Sequence, residues 1–249
     1  MATQVNELLG NGWHPVPVDP SRIFGDKPYN NEPAALSIGQ LTFPDQDPVV
    51  KKVYEYTKER LPTQTFNHSM RVYHYAMAIL YQQFPEHADE LSCSTLALTS
   101  LLHDLGTTSS NMSATRMSFE FYGAILARDL LLSKDIGASQ DTADAVFEAI
   151  TRHQDLGTEG KITLLGQIIQ LATIYDNVGG QHPTVQHFDK ILHVKTRETV
   201  IERYPRPGWL GCFAATIREE TKRKPWCHTT HIPGFAEIIE GNELMRPYE

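Results

Sequence analysis

Leu101-Leu102-His103-Asp104-Leu105-Gly106 is the stretch whose reading decides the fold. An apolar run from Leu96 to Leu102 ends in an imidazole and a carboxylate side by side. Gly106 follows, a residue suited to leaving a helix through a left-handed turn. The pattern predicts a buried helix whose last turn presents two metal-ligand side chains. Unpaired carbonyls leave a helix C-terminus partly negative, which suits a cation. Adjacent helical side chains diverge by about 100°, so both reach one ion only if it lies past the helix end. Alone, the dipeptide reads equally well as a capping histidine beside an exposed aspartate, and context must decide.

The context lies on both sides. Upstream, a helix from about Thr63 carries His68 on one stripe with Val72, Tyr75, Ala76 and Ile79. Downstream, the apolar run Ile168 to Tyr175 stops at Asp176. A carboxylate ending such a run is at least partly buried, and must be paired or bound to metal. Singly, His68 reads as a core histidine and Asp176 as a helix-end acceptor. Together, His68, His103-Asp104 and Asp176 form an ordered set of metal-ligand side chains on helices.

The remaining chain reads as helical. Residues 1–46 are irregular, punctuated by Pro15, Pro17, Pro20, Pro28, Pro33 and Pro44. Trp13, Phe24 and Tyr29 are too apolar for a free tail, so these residues are expected to form an arm over the domain of 47–249. Helices are expected from Pro48 to Leu61, from Thr63 to Pro85, and from a Ser92 cap into His103. A polar loop over Thr107–Ser113 follows, then helices over Thr115–Ser133, Gln140–His153, Ile162–Tyr175, Thr196–Tyr204 and Gly211–Lys222. A last one is expected near the end. Strand-type alternation is scarce. The expected fold class is all-α, in one domain.

Bulk properties exclude several roles. A chain of 249 residues can bury a sizeable single core. A net charge of −8 and a pI of 5.8 offer no basic patch for nucleic acid or an anionic membrane. Met1–Gly10 lacks the basic and apolar regions of a secretory signal. Cys93, Cys212 and Cys227 have no CxxC spacing and read as reduced thiols, which implies the cytoplasm.

The order His68, His103-Asp104, Asp176 resembles the HD-domain superfamily of metal-dependent hydrolases over roughly residues 50–180. That resemblance implies an HD-domain helical bundle in which all four side chains share one metal. Phe66 to Val72, Leu102 to Thr107, Thr115 to Glu120, Ile168 to Val178 and Lys224 to Pro233 together resemble the fungal cyanamide hydratase family. This second resemblance implies a small-molecule substrate, cyanamide, hydrated to urea with zinc, and a homodimer.

The chemistry suits these residues. Two imidazoles and two carboxylates form a mixed N/O site for zinc, with Fe2+ or Mn2+ as alternatives. An open position would generate hydroxide near neutral pH for attack on a nitrile. Asp104 could relay the proton while ligating. His153, in Arg152-His153-Gln154-Asp155, is a candidate for substrate binding or proton donation, or else a surface helix-end histidine. Thr107 is a candidate hydrogen-bond donor to substrate, or else a turn hydroxyl bonding its own backbone. Many HD phosphohydrolases carry lysine at the Thr107 position. The loop Gly106–Ser113 has no base, yet Arg71 and Arg116 could serve a phosphate. An HD-type phosphohydrolase acting on a phosphomonoester or nucleotide is therefore the alternative, and a metal-stabilised binding protein a third. His228 and His231 suggest a flap or subunit contact rather than a second metal site.

Overall fold

Two helices buried along most of their length form the centre, and the sequence explains both. Helix α2 (Thr63–Gln83) is buried continuously from His68 to Leu80, and α7 (Leu164–Val178) along its whole length. A helix buried all round must satisfy its polar residues internally. His68, Arg71 and Asp176 are such residues, and α2 packs on α7. The computed structural model describes residues 8–249.

Helix α3 (Cys93–Leu102) packs on α2 and, as expected, is capped by the Ser92 hydroxyl, which accepts from Thr95 N. Helix α1 (Pro48–Arg60) starts at an Asp47 cap and packs on α3. Short α4 (Ser109–Ala114) leads to α5 (Phe119–Leu132). Helix α6 (Gln140–Arg152) then packs against α5, α3 and α7. Helices α8 (Val194–Arg203) and α9 (Trp209–Arg223) lie against α2, and α10 (Phe235–Glu240) against α9. The all-α class holds. The one small sheet among the described residues pairs β1 (Pro15–Pro17) antiparallel with β2 (Lys161–Thr163), Val16 opposite Ile162.

The segment before α1 is tied down at several points. Tyr73 OH donates to Thr42 O, Gln83 Oε1 accepts from Asn30 N and Asn31 N, and Asp141 accepts from the Trp13 indole. The first seven residues of the expected arm, and most of the Met1–Gly10 stretch read for a signal, lie outside the described residues.

Four local expectations are corrected. The polar loop after Gly106 contains α4, because the Thr108 hydroxyl accepts from Asn111 N and caps it. The helix expected from Thr115 starts at Phe119, where Phe119 N donates to the Glu220 carboxylate of α9 at 2.7 Å. Helix α7 starts two residues later than expected, because Ile162 belongs to β2, and runs past Asp176 to Val178 before Gly179 turns it at φ +61°. Gly106 has no positive φ. It is glycine because a Cβ there would strike the Phe119 carbonyl, and Gly123 reciprocates, its Cβ position lying 3.0 Å from Gly106 N. That close approach seats the start of α5 on the His103-Asp104 turn.

Candidate metal centre

His103 sits at the C-cap of α3 and His153 at the C-cap of α6, and both rings are fixed in the same way. Each Nδ1 donates to the carbonyl three residues earlier, Ser100 O and Ile150 O, at 2.7 Å. The proton therefore resides on Nδ1 and a lone pair on Nε2. In His68 the Nδ1 proton goes instead to Asp176 Oδ2 at 2.6 Å. An outer carboxylate or carbonyl on one ring nitrogen is the usual support for metal ligation by the other.

The three inner groups converge. His68 Nε2 and His103 Nε2 are 3.2 Å apart. Asp104 Oδ2 lies 3.7 Å from the first and 3.4 Å from the second. All three side chains are at most 1% exposed, and neither Asp104 oxygen has a hydrogen-bond partner. Two lone pairs and an unpartnered carboxylate facing one another repel unless a cation lies among them, so the donor set fits a divalent ion. Trp209 stacks on His68 at 4.3 Å and fixes the ring plane.

His153 is brought to this centre, its ring edge-on to His103 at 5.3 Å. Burial lowers its pKa, so its Nε2 is an acceptor at neutral pH. Gln154 is buried beside it, its Oε1 without a partner. Residues 65–178, which carry every group named so far except Trp209, match the HD domain, a domain that binds divalent metals. Two relatives from Saccharomyces cerevisiae, cyanamide hydratase DDI2 and cyanamide hydratase DDI3, are each 45% identical over 189 residues, covering 76% of this chain and 80% of theirs. The chain belongs to the cyanamide hydratase family of HD-domain proteins.

Within this family member, two expected roles meet a different geometry. Asp176 is not among the convergent donors. It lies on the far side of His68, with Arg71 Nε 3.0 Å and Arg206 Nη1 3.1 Å from Oδ1, and Arg71 Nη2 2.8 Å from Oδ2. Thr107 donates its hydroxyl to Asp104 O at 2.7 Å, closing its own turn, so that proton is not offered to a substrate. At His228-Thr229-Thr230-His231, His228 Nδ1 pairs with buried Glu120 at 2.8 Å. His68, His103 and Asp104 are the one group of three candidate ligands among the described residues.

Sequence reading passed over Arg206 and Trp209, which lie outside the HD span. Arg206 is fully buried against Asp176. Its signal was faint: a basic residue bracketed by Pro205 and Pro207, in a rigid turn between two helices.

Proposed function

We propose that this chain is a hydro-lyase that adds water to the nitrile of cyanamide to give urea, with zinc held by His68, His103 and Asp104. One observation carries the reading: a chain 45% identical to cyanamide hydratases buries two imidazole lone pairs against a partnerless carboxylate. Bound there, zinc supplies Lewis acidity that brings the ionisation of water to about pH 7.

The chain's own groups supply the rest. The free Asp104 oxygen is placed to accept one hydrogen bond from the attacking water. His153 Nε2 takes the water proton as the oxygen–carbon bond forms and one C≡N π pair moves onto nitrogen. It then returns that proton to the nitrogen, and the isourea tautomerises to urea. This revises proton donation by His153: as a neutral base it accepts first. The partnerless Gln154 Oε1 offers an acceptor to the amine of cyanamide. Asp176 orients His68 instead of ligating.

A phosphohydrolase needs a cation near the centre. Buried Arg71 is engaged with Asp176, and Arg116 is exposed, so neither supports that alternative. We further propose a homodimer, a cytoplasmic location consistent with three free thiols, and one domain at 47–249 under an arm at 1–46. No helix of the described residues is long and apolar enough to cross a membrane. The test is metal analysis with urea production from cyanamide on one purified sample, before chelation and after zinc return. Zinc-dependent urea release is expected. Phosphate release from nucleoside monophosphates without urea would overturn the reading.

A further inference from the structure

Asp176 sits in a buried charge array that extends well beyond the HD span. Arg206, with no exposed surface, donates through Nη1 to Asp176 Oδ1 at 3.1 Å and to the Asp176 main-chain carbonyl at 3.2 Å. Its Nε donates to Glu249 Oε1 at 2.7 Å, and Glu249 Oε2 accepts from Leu210 N at 3.0 Å. Asn242 Nδ2 adds a bond to the Asp176 carbonyl at 3.3 Å.

The two arginines on Asp176 are not equivalent. Arg71 reaches both carboxylate oxygens, including Oδ2, the one that holds His68. Arg206 reaches only Oδ1 and the main-chain carbonyl. Pinning those two atoms fixes the carboxylate plane and leaves Oδ2 aimed at His68 Nδ1. The charges also balance. Asp176 alone would leave one of the two guanidiniums uncompensated, and Glu249 supplies the missing negative charge. Without it, an excess positive charge would draw on Asp176 and weaken its hydrogen bond to His68.

We infer that Arg206, neutralised by Glu249, is a positioning residue that acts through Asp176 on His68 and sets how tightly the centre holds its metal. The inference rests on the metal reading above, but its readout is zinc affinity and needs no substrate. Zinc dissociation constants are measured by chelator competition on wild type, Arg206→Lys, Glu249→Gln and Tyr248→Phe, with the visible spectrum of each cobalt-substituted protein. Lysine keeps the charge but cannot span Asp176 and Glu249 together. Loss of an outer-shell partner typically weakens metal binding about 10–100-fold, and Arg206→Lys is expected in that range. Glu249→Gln is expected to weaken zinc by a smaller factor and to shift the cobalt spectrum in the same direction. Tyr248→Phe perturbs the same segment, where the ring lies by Arg197, without touching Asp176, and should bind zinc like wild type.

Zinc affinities within about twofold of wild type in both variants, well short of an outer-shell loss, would overturn the inference, even if melting temperatures fell. That result would make Glu249 a fold staple only. If Arg206→Lys fails to fold, Glu249→Gln decides alone, being near-isosteric at a partly exposed site. Wild-type protein that binds no zinc would instead overturn the metal reading itself.

Discussion

At the scale of single residues, the centre holds two buried carboxylates in opposite circumstances. Asp104 has no hydrogen-bond partner, whereas Asp176 is bonded to His68, Arg71 and Arg206. Removing charge from the first relieves repulsion; removing it from the second leaves the buried guanidinium of Arg71 without a counter-charge. Asp104→Asn should therefore abolish metal binding and urea formation while leaving the metal-free protein as stable as wild type, or more so. Asp176→Asn should weaken metal without abolishing it and lower stability by about 3–5 kcal/mol, as for a broken buried ion pair. Metal content and denaturant midpoints of the metal-free proteins check both; equal metal loss in the two variants would restore Asp176 as a ligand. Thr107→Val should lose roughly 1 kcal/mol for one turn hydrogen bond and keep near-normal turnover; a large fall in kcat would return Thr107 to the substrate. Residue types at this centre were legible in the sequence because buried histidines and aspartates on apolar helices demand partners. Which face of His68 meets Asp176 was not legible, since it depends on Arg206, far along the chain.

At the scale of elements, the site is a meeting of helix ends. Helices α3 and α6 end in histidines whose Nδ1 atoms cap their own carbonyls, and α5 begins against the turn that carries Asp104. Hydrophobic runs located α2, α3 and α7, though not the ends of α7, because burial writes itself into composition. Starts fixed by another element escaped: Phe119 N is capped by Glu220, and no local pattern near residue 119 announces that. The approach of Gly106 to the Phe119 carbonyl is a tight joint of this assembly, with no room for a Cβ. Gly106→Ala should push α5 off the turn, at a cost of about 1–3 kcal/mol or more, and misplace Asp104. Reduced metal affinity together with a lowered melting temperature is expected, whereas Gly39→Ala, with open space around it, should change neither. A Gly106→Ala protein with wild-type stability and metal affinity would show that the joint yields freely.

At the scale of the whole molecule, histidines buried away from the centre couple stability to pH. His182 accepts Thr184 N and Val185 N on Nδ1 at 3.2 and 3.3 Å, and His74 stacks on Tyr204. Burial pushes the pKa of each down to about 4, from an ordinary 6.5. Between those values the unfolded chain holds protons that the native protein refuses, so unfolding takes up protons. Stability is therefore full above pH 6.5, falls as pH drops towards 4, and loses nothing further from these groups below that. Each histidine contributes up to about 3 kcal/mol over the window. His182→Asn places an amide oxygen where Nδ1 accepts the two backbone protons, yet cannot titrate. Its denaturant midpoint should fall less than that of wild type between pH 7.5 and pH 5, measured on metal-free protein so that ligand protonation does not intrude. Parallel declines in the two proteins would assign the acid sensitivity elsewhere, and the same comparison with His74→Phe would then test the second buried ring.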